Sequence, residues 1–432
     1  MKFIKILFLS FGIKILSLSI LLISRILTAR ILPPADFGSV GNALNLITII
    51  TRWSSLGAGP ATQFTASKFS SKKNSLLIYA IIFSVFTGIT GLLIFYYFKA
   101  EIFSSQFKND QNGYVFLRFI SWLPVINLSM TLPILVLGLG HFKEYSFTQV
   151  LPLLFQAVVI SLAYNQQNAF EFIIWAQIIS WILTVAITLV FIDYKNFSFK
   201  FDGKLFEIYS KYALKAWPQV TLQFGISRFA VLIGSYLFTS QDLGYFILAA
   251  NLAESFLILS TSLTPLIFNR IASKGPDFAF LGKSLRFSGL SFIFIWPVVT
   301  LFGKPIFLLI FGVAYDPSWN LFLLLLISTM FHALNRICMN YIGATGKNMI
   351  LSGIQLTQLI LLFLMGFCAC SFFGITGLCY ASTAVAVTGF LCYIFIIKKM
   401  EEKQISDLFS LFLFDRKDIN MLRRILKDIR DN

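Results

Sequence analysis

Long apolar runs separated by short polar segments follow one another along the entire chain. The runs reach about 20 residues, which is the length that an α-helix needs to cross the hydrocarbon core of a bilayer. They predict an all-α polytopic membrane protein with about twelve transmembrane helices. The predicted spans are Ile4–Leu27, Val40–Phe64, Leu76–Phe98, Tyr114–Leu139, Thr148–Tyr164, Phe172–Phe191, Trp217–Phe238, Tyr245–Phe268, Leu285–Leu301, Trp319–Tyr341, Met349–Phe373 and Thr376–Ile397.

The first apolar run, in "MKFIKILFLSFGIKILSLSILLISRILTAR", has some features of a cleaved signal peptide. It is too long for one, however, Lys14 interrupts it, and no A-x-A cleavage site follows. We therefore expect it to remain as the first membrane span. Composition agrees with a membrane protein throughout, because only 12% of the 432 residues are charged and 57% are hydrophobic, whereas soluble proteins carry about 25% charged residues.

The two halves of the chain repeat each other. The segment "PADFGSVGNALNL" (Pro34–Leu46) aligns without a gap with "SQDLGYFILAANL" (Ser240–Leu252), so that Asp-x-Gly matches Asp-x-Gly and Asn-Leu matches Asn-Leu. The alternative is chance identity between two helices rich in leucine and alanine. Each copy holds six predicted spans, so both enter the membrane in the same sense, and transporters use such parallel repeats. The predicted organisation is a six-helix bundle (1–192), a cytoplasmic connector (193–216), a second six-helix bundle (217–397) and a basic tail (398–432).

Basic residues are distributed unevenly between the predicted loops. Those of the N-terminus, the even-numbered loops and the tail outnumber those of the odd-numbered loops roughly 24 to 4, and cytoplasmic loops are the ones enriched in Lys and Arg. Both termini are therefore predicted to be cytoplasmic. This topology also explains the net charge of +16, so no nucleic-acid partner is expected. The tail segment "INMLRRILKDIRDN" is either a basic amphipathic helix lying on membrane lipids or a solvated tail.

No motif of an enzyme or of a metal site is present. The sequence lacks H-E-x-x-H, G-x-S-x-G and the phosphate loop G-x-x-x-x-G-K-[ST]. His141 and His332 stand alone, and the five cysteines lie in or beside apolar segments without metal or redox spacing. We therefore expect neither catalysis nor a cofactor. Without an ATP-binding loop, any transport would be driven by a proton or sodium gradient, or by consumption of the product.

Several ionisable residues lie inside the predicted spans, where such groups face a bundle interior or a watery cavity rather than lipid. Lys14, Arg52, Arg228 and Glu254 are the deep ones. Three further arginines lie nearer span ends, where either a cavity position or snorkelling to the headgroups is open; they are Arg25, Arg118 and Arg336.

Two of the deep residues are predicted to meet. Arg228 and Glu254 each lie 13 residues from Gln241, which is in the turn between two antiparallel spans, so their depths should match. Glu254 either balances Arg228 or carries a coupling ion. Lys14 and Arg52 lack an acidic partner of this kind, and Asn45 lies two helical turns from Arg52 on the same face. A cavity rich in unpaired cations implies an anionic guest, because guanidinium groups bind phosphate oxygens in a forked geometry.

The stretch "LTARILPPADFGSVGNALNLITIITRWSSLGAGPATQFTAS" resembles the Wzx-type polysaccharide flippases of the MOP/MATE-like transporter superfamily. The family pattern R-x-L-x-x-x-D-F-G falls on Arg30, Leu32 and Asp36-Phe37-Gly38, followed by a G-x-G-like break at Gly57 and Gly59. The stretches from Ser227 to Ser273 and "GKPIFLLIFGVAYDPSW" are similar to further family segments. Members often carry an acidic residue near Arg228, where this chain has Ser227-Arg228, so the resemblance does not settle ion coupling.

The resemblance implies two six-helix bundles around a V-shaped cationic cavity in a bacterial cytoplasmic membrane. The implied substrate is an undecaprenyl-diphosphate-linked oligosaccharide, turned between leaflets by alternating access for O-antigen, capsule or exopolysaccharide synthesis. On this reading Arg52, Lys14 and Arg228 hold the diphosphate, and other membrane proteins of polysaccharide assembly are candidate partners. A MATE-like ion-coupled antiporter, a membrane polysaccharide polymerase and a structural scaffold are the alternatives. The short outside loops argue against the polymerase, and the cations argue against the other two.

Overall fold

The computed structural model describes residues 2–106, 113–163, 169–192, 201–257, 260–261, 264, 267, 270–271, 275–345 and 347–402. Within these ranges the protein is all-α and has no strand, as predicted. The predicted basic tail lies almost wholly outside the described residues. The helices are α1 (Lys2–Ile31), α2 (Pro34–Ser54), α3 (Ala58–Lys68), α4 (Lys73–Tyr97), α5 (Lys99–Gln106), α6 (Gly113–Ile120), α7 (Leu123–Gly138), α8 (Phe142–Leu162), α9 (Ala169–Phe191), α10 (Gly203–Leu237), α11 (Ser240–Ser255), α12 (Phe278–Phe311), α13 (Asp316–Ala344), α14 (Asn348–Phe373) and α15 (Thr376–Met400).

The helices have the lengths and surfaces of membrane spans. Among the described residues, eight helices are long and apolar enough to cross a bilayer, or nine if α6 and α7, which meet at 57°, form one broken span. Large apolar side chains cover their outer faces, and on α12 Phe294, Leu301 and Leu309 are 70%, 73% and 75% exposed. Side chains this apolar are stable at a surface only where that surface meets lipid rather than water. The total of twelve spans stays a prediction.

The predicted second span, Val40–Phe64, is not one continuous helix in the structure. The chain forms two helices, α2 and α3, with a break at residues 55–57, where Leu56 and Gly57 have φ angles of +45° and +78°. Gly57 also lies against α10, so that a Cβ built on it would be 2.2 Å from the carbonyl oxygen of Ala213. Only glycine combines this backbone conformation with so close an approach at low cost. The break therefore lies where the second predicted span packs closely against α10.

Helix α10 begins within the predicted connector and continues into the seventh predicted span. Asp202 caps its first turn by accepting a hydrogen bond from the Leu205 amide. Lys72 forms an ion pair with the same carboxylate at 2.5 Å, and this contact lowers the pKa of Asp202. Tyr209, fully buried, hydrogen-bonds Thr62 at 2.9 Å. The start of α10 is thus fastened to the first half of the protein, although the rest of the helix belongs to the second half.

The first half (α1–α9) and the second half (α10–α15) meet mainly along α2 and α11, with α10 packing on α2 and α3. At the predicted periplasmic end several further contacts join them. Arg30 donates hydrogen bonds to the backbone oxygens of Leu309 and Ile310 at the end of α12. The Tyr315 hydroxyl donates to the Leu32 carbonyl at 3.0 Å, and its ring packs edge-on against Phe37. The two halves are therefore closed against each other at this end.

Candidate functional site

Polar and charged side chains line two adjoining cavities inside the helix bundle. The larger cavity, about 400 Å³, lies mostly within the second half and is called the arginine cavity because Arg52, Arg228 and Arg336 line it. The smaller cavity, about 280 Å³, lies mostly within the first half and is called the amide cavity because Asn45, Gln156, Gln177 and Asn251 line it. Arg228 lines both cavities and separates them.

Arg52 reaches the arginine cavity from the last turn of α2, just before the break. At the end of a helix the backbone carbonyls carry partial negative charge, which favours a cation there. Trp217 donates its indole N–H to the Trp53 carbonyl at 3.0 Å, and Ser55 donates its hydroxyl to the Arg52 carbonyl at 3.0 Å. These bonds satisfy carbonyl groups that the end of α2 would leave unpaired. The local backbone thus explains how this arginine is held deep in the protein.

The guanidinium group of Arg52 has no carboxylate partner among the described residues. Its Nε is buried without a hydrogen-bond partner, and its Cζ lies 5.4 Å from the centre of the Phe224 ring. Arg228 approaches the same ring, with its Cζ at 5.7 Å. A cation over an aromatic face is attracted by roughly 0.5–2 kcal/mol, which does not neutralise the charge. Two arginines therefore share one aromatic ring and leave donors available to an anion.

The predicted pairing of Arg228 with Glu254 is confirmed. Arg228 Nη2 lies 3.2 Å from Glu254 Oε2 across the hairpin of α10 and α11. Glu254 also interacts electrostatically with Arg25, with Arg336 and with His332, which is one helical turn before Arg336. Within the described part of the chain, Glu254 is the single carboxylate that lines either cavity. One negative charge thus faces four arginines, and the two cavities together carry excess positive charge.

The sequence left open whether Arg25, Arg118 and Arg336 line a cavity or reach the lipid headgroups, and the structure places them differently. Arg25 lines the amide cavity and donates to the Asn251 carbonyl at 3.0 Å, and Arg336 lines the arginine cavity. Neither needs to snorkel to the headgroups. Arg118, in contrast, lines neither of these two cavities. It pairs with Glu171 at 2.7 Å, and both side chains are about 40% exposed. Arg118 was predicted to line the cavity. Its observed position does not fit that prediction, because the ion pair with Glu171 holds Arg118 at the rim of the bundle.

Asn45 and Lys14 are the remaining predicted site residues. Asn45 lines the amide cavity and donates its Nδ2 to the Arg228 carbonyl at 3.2 Å, so α2 is bonded to α10 at this point. Lys14 lies on α1, eleven residues before Arg25, or about 16 Å along the helix. The side chain of Lys14 is not among the parts of the chain that the structure describes.

Several cavity residues were not singled out from the sequence. In the arginine cavity these are the uncharged groups of the second half, among them Asn335, Gln355 and Gln358, which are at most 5% exposed. In the amide cavity they are Gln156 and Gln177, whose side chains hydrogen-bond each other at 2.7 Å. Ionisable groups within a predicted span indicate a polar surrounding. Amide side chains within predicted spans carry the same signal, since a buried polar group requires a polar surrounding.

A family model describing a polysaccharide biosynthesis protein matches residues 27–320. Among curated proteins, none matches the chain in sequence. The match crosses both halves of the chain, from the end of α1 to the start of α13, and it includes Arg52, Arg228 and Glu254.

Solved membrane transporters have a similar fold. Lipid II flippase MurJ in an inward closed conformation has a TM-score of 0.72 at 14% identity, over 98% of this chain and 93% of that chain. A multidrug resistance MATE family transporter of the MOP superfamily in an inward-facing conformation has a TM-score of 0.71 at 12% identity, over 89% and 96%. An outward-facing MATE family transporter has a TM-score of 0.59 at 12% identity, over 93% and 97%. The chain therefore has a MATE-like fold.

Proposed function

Since this chain belongs to the polysaccharide biosynthesis protein family, we propose that it is a flippase for an undecaprenyl-diphosphate-linked oligosaccharide. The similarity to the polysaccharide flippases that the sequence predicted is confirmed at the level of family and fold. On this proposal the protein moves the lipid-linked glycan between the leaflets of a bacterial cytoplasmic membrane. It acts as a transporter and not as an enzyme.

The arginine cavity is the observation that carries the proposal. Arg52, Arg228 and Arg336 line a volume of about 400 Å³ that holds one carboxylate, Glu254. Even with Glu254 ionised, two positive charges are left, and buried charges without counter-charges are costly. A diphosphate supplies the missing negative charge together with several oxygens that accept forked hydrogen bonds from guanidinium groups. A cationic drug, the cargo of the antiporter alternative, would be repelled by the same three side chains.

The arrangement of the two halves supports an inward-facing state. Arg30, Tyr315 and the crossing of α2 with α11 close the end that the charge bias predicts to be periplasmic. The higher TM-scores for the inward-closed and inward-facing transporters than for the outward-facing one agree with this assignment. We propose that release of the glycan requires these outer contacts to open while the cytoplasmic side closes, which is alternating access.

Further features belong to the proposal. Both termini are cytoplasmic, and residues 1–192 and 217–397 form the two bundles that rock against each other around the cavities. Glu254, within reach of several cations, carries the coupling proton or sodium ion. Membrane lipids surround the bundles, and the assembled glycan passes to other membrane proteins of polysaccharide synthesis. O-antigen, capsule and exopolysaccharide are all compatible with the cavity chemistry.

The test is reconstitution of the purified protein into vesicles that contain lipid-linked oligosaccharide extracted from cells lacking this protein. A membrane-impermeant lectin or glycosidase measures how much glycan is exposed on the outer leaflet. We expect the protected inner-leaflet pool to become accessible in vesicles with the protein, and to stay protected in empty vesicles. Equal protection in both kinds of vesicle, together with undiminished glycan export in the deletion strain, would overturn the proposal.

A further inference from the structure

The amide cavity contains a set of hydrogen-bonding groups that a diphosphate does not require. Asn45, Gln156 and Gln177 line it together with the hydroxyl groups of Thr28 and Thr48 and the ring of Trp181. Apart from Arg25 and Arg228, the described side chains that line this cavity are uncharged. An uncharged polar surface beside an aromatic ring fits a ligand rich in hydroxyl groups.

Some of these groups are buried and have no partner. Asn45 is only 6% exposed, and its Oδ1 makes no hydrogen bond. Gln156 donates its Nε2 to Gln177 Oε1 at 2.7 Å, which leaves the Gln156 carbonyl and the Gln177 NH2 group without a bond to any described residue. A buried polar group without a partner is unfavourable, and this applies to Asn45, whereas Gln177 is only partly buried. The pair thus offers an acceptor beside a donor, and a sugar hydroxyl, which both donates and accepts, matches that arrangement.

The two cavities adjoin each other at one point. Arg228, Val231 and Ala250 line both, so the separation between them is one arginine side chain and the small residues near it. Arg52 serves the arginine cavity and Asn45 the amide cavity from the same helix, two turns apart. A diphosphate held by Arg52 and Arg228 would therefore place its attached group next to the amide cavity.

We propose that the amide cavity is a glycan subsite, which binds the sugars joined directly to the diphosphate through Asn45 and the Gln156–Gln177 pair. This inference rests on the proposed function and assigns its substrate selectivity to the first half of the protein. The diphosphate, common to all lipid-linked glycans, is bound by the arginine cavity. The amide cavity selects for the first sugars, because a sugar lacking the matching hydroxyl leaves these amides unpaired.

Trp181 makes the test direct, because it is the one tryptophan among those in the described chain that lines either cavity. The purified protein is titrated with undecaprenyl diphosphate and, separately, with undecaprenyl-diphosphate-linked oligosaccharide extracted from the deletion strain. We expect both lipids to bind, the glycan-linked lipid more tightly, and only the latter to change tryptophan fluorescence. Trp181→Phe should abolish that change.

Variants separate the two cavities. Gln177→Ala should weaken the glycan-linked lipid roughly tenfold, the effect of about one hydrogen bond, and leave undecaprenyl diphosphate unchanged. Arg52→Ala should weaken both lipids. Gln241→Ala, which removes an exposed glutamine at the far turn of α10 and α11, is the matched control and should change neither.

The outcomes distinguish the inference from the proposed function. If both lipids bind equally and Gln177→Ala weakens neither, the glycan subsite is overturned while the flippase proposal stands. If Gln177→Ala weakens both lipids to the same extent, the glutamine pair supports the fold rather than the sugar, and the subsite is again overturned. If neither lipid binds the wild-type protein, the proposed function fails and the subsite fails with it.

Discussion

Gly38 and Gly244 occupy equivalent positions of the internal repeat and lie against each other where α2 crosses α11. A Cβ built on Gly38 would be 1.9 Å from the Ser240 carbonyl oxygen, and one built on Gly244 would be 2.0 Å from the Pro34 carbonyl oxygen. Because Pro34 and Ser240 are themselves equivalent, the contact is reciprocal. An axis that relates the two halves therefore passes between these glycines, and each half closes the outer end with the same backbone surface.

The first prediction concerns this contact. Gly38→Ala should push α2 and α11 apart, because the new methyl group overlaps a backbone carbonyl that cannot rotate away. At a helix position without this overlap, the same substitution would stabilise the helix by about 1 kcal/mol. We expect the outer end to open more often, so that a cysteine introduced at Thr28 reacts faster with an impermeant thiol reagent added from outside.

The matched control is Gly289→Ala, a helical glycine of α12 whose Cβ would have no heavy atom within 4 Å. It should leave labelling at Thr28→Cys unchanged. Equal labelling rates in the Gly38→Ala and Gly289→Ala proteins would mean that the glycine contact does not control opening of the outer end.

The second prediction concerns the hydrogen bond from Tyr315 to the Leu32 carbonyl. Tyr315→Phe keeps the edge-on ring contact with Phe37 and removes only the hydroxyl. The closed state should lose about 1 kcal/mol, which corresponds to a shift of roughly fivefold toward the open outer end. Distance measurements between spin labels on α1 and α12 would show the shift, and an unchanged distance distribution would exclude this role.

The third prediction tests whether Glu254 does more than balance Arg228. Each single substitution, Arg228→Glu or Glu254→Arg, places like charges at the 3.2 Å contact and should destabilise the protein. The double exchange restores the pair. If pairing is the whole role, the double variant regains both thermal stability and much of its glycan export. If Glu254 carries a coupling ion, the double variant is stable but as inactive as Glu254→Gln, and transport loses its dependence on the ion gradient.

Hydropathy was sufficient to predict most of the helices, because the bilayer imposes one length on every span. Spacing alone also predicted that Arg228 meets Glu254, since an antiparallel hairpin places residues equally far from its turn at equal depth. The Asp-x-Gly repeat predicted the equivalence of α2 and α11, which begin at the matching residues Pro34 and Ser240.

The remainder depends on tertiary contacts that one sequence does not contain. Arg52 was predicted near the centre of the span Val40–Phe64, whereas it lies in the last turn of α2, just before the break at Gly57, which packs against α10. Gln156 and Gln177 belong to different helices, and nothing in their spacing indicates that they bond each other. The connector was interpreted from its charges as a loop, yet Asp202 begins a helix there.

The fourth prediction concerns topology. Fusions of alkaline phosphatase and of green fluorescent protein near Tyr194 and at Asn432 should report a cytoplasmic location. Fusions near Lys108 and Gln241 should report a periplasmic one, as the positive-inside bias requires. A periplasmic C-terminus would imply an odd number of spans, and the two halves would then no longer enter the membrane in the same sense.

The fifth prediction concerns Arg52, whose guanidinium group shares the Phe224 ring with Arg228 and has no carboxylate partner among the described residues. Arg52→Lys keeps the positive charge but loses the planar fork that matches a diphosphate, so we expect export at a reduced rate. Arg52→Ala should abolish export at normal protein levels. Because the removed cation has no counter-charge, and its attraction to the Phe224 ring is weak, thermal stability should be little changed or higher. Arg118→Ala is the matched control, since it removes an arginine from an exposed ion pair worth at most about 1 kcal/mol, and it should export normally. Export of full-length glycan at the wild-type rate by an Arg52→Ala protein that inserts normally would show that Arg52 does not hold the substrate.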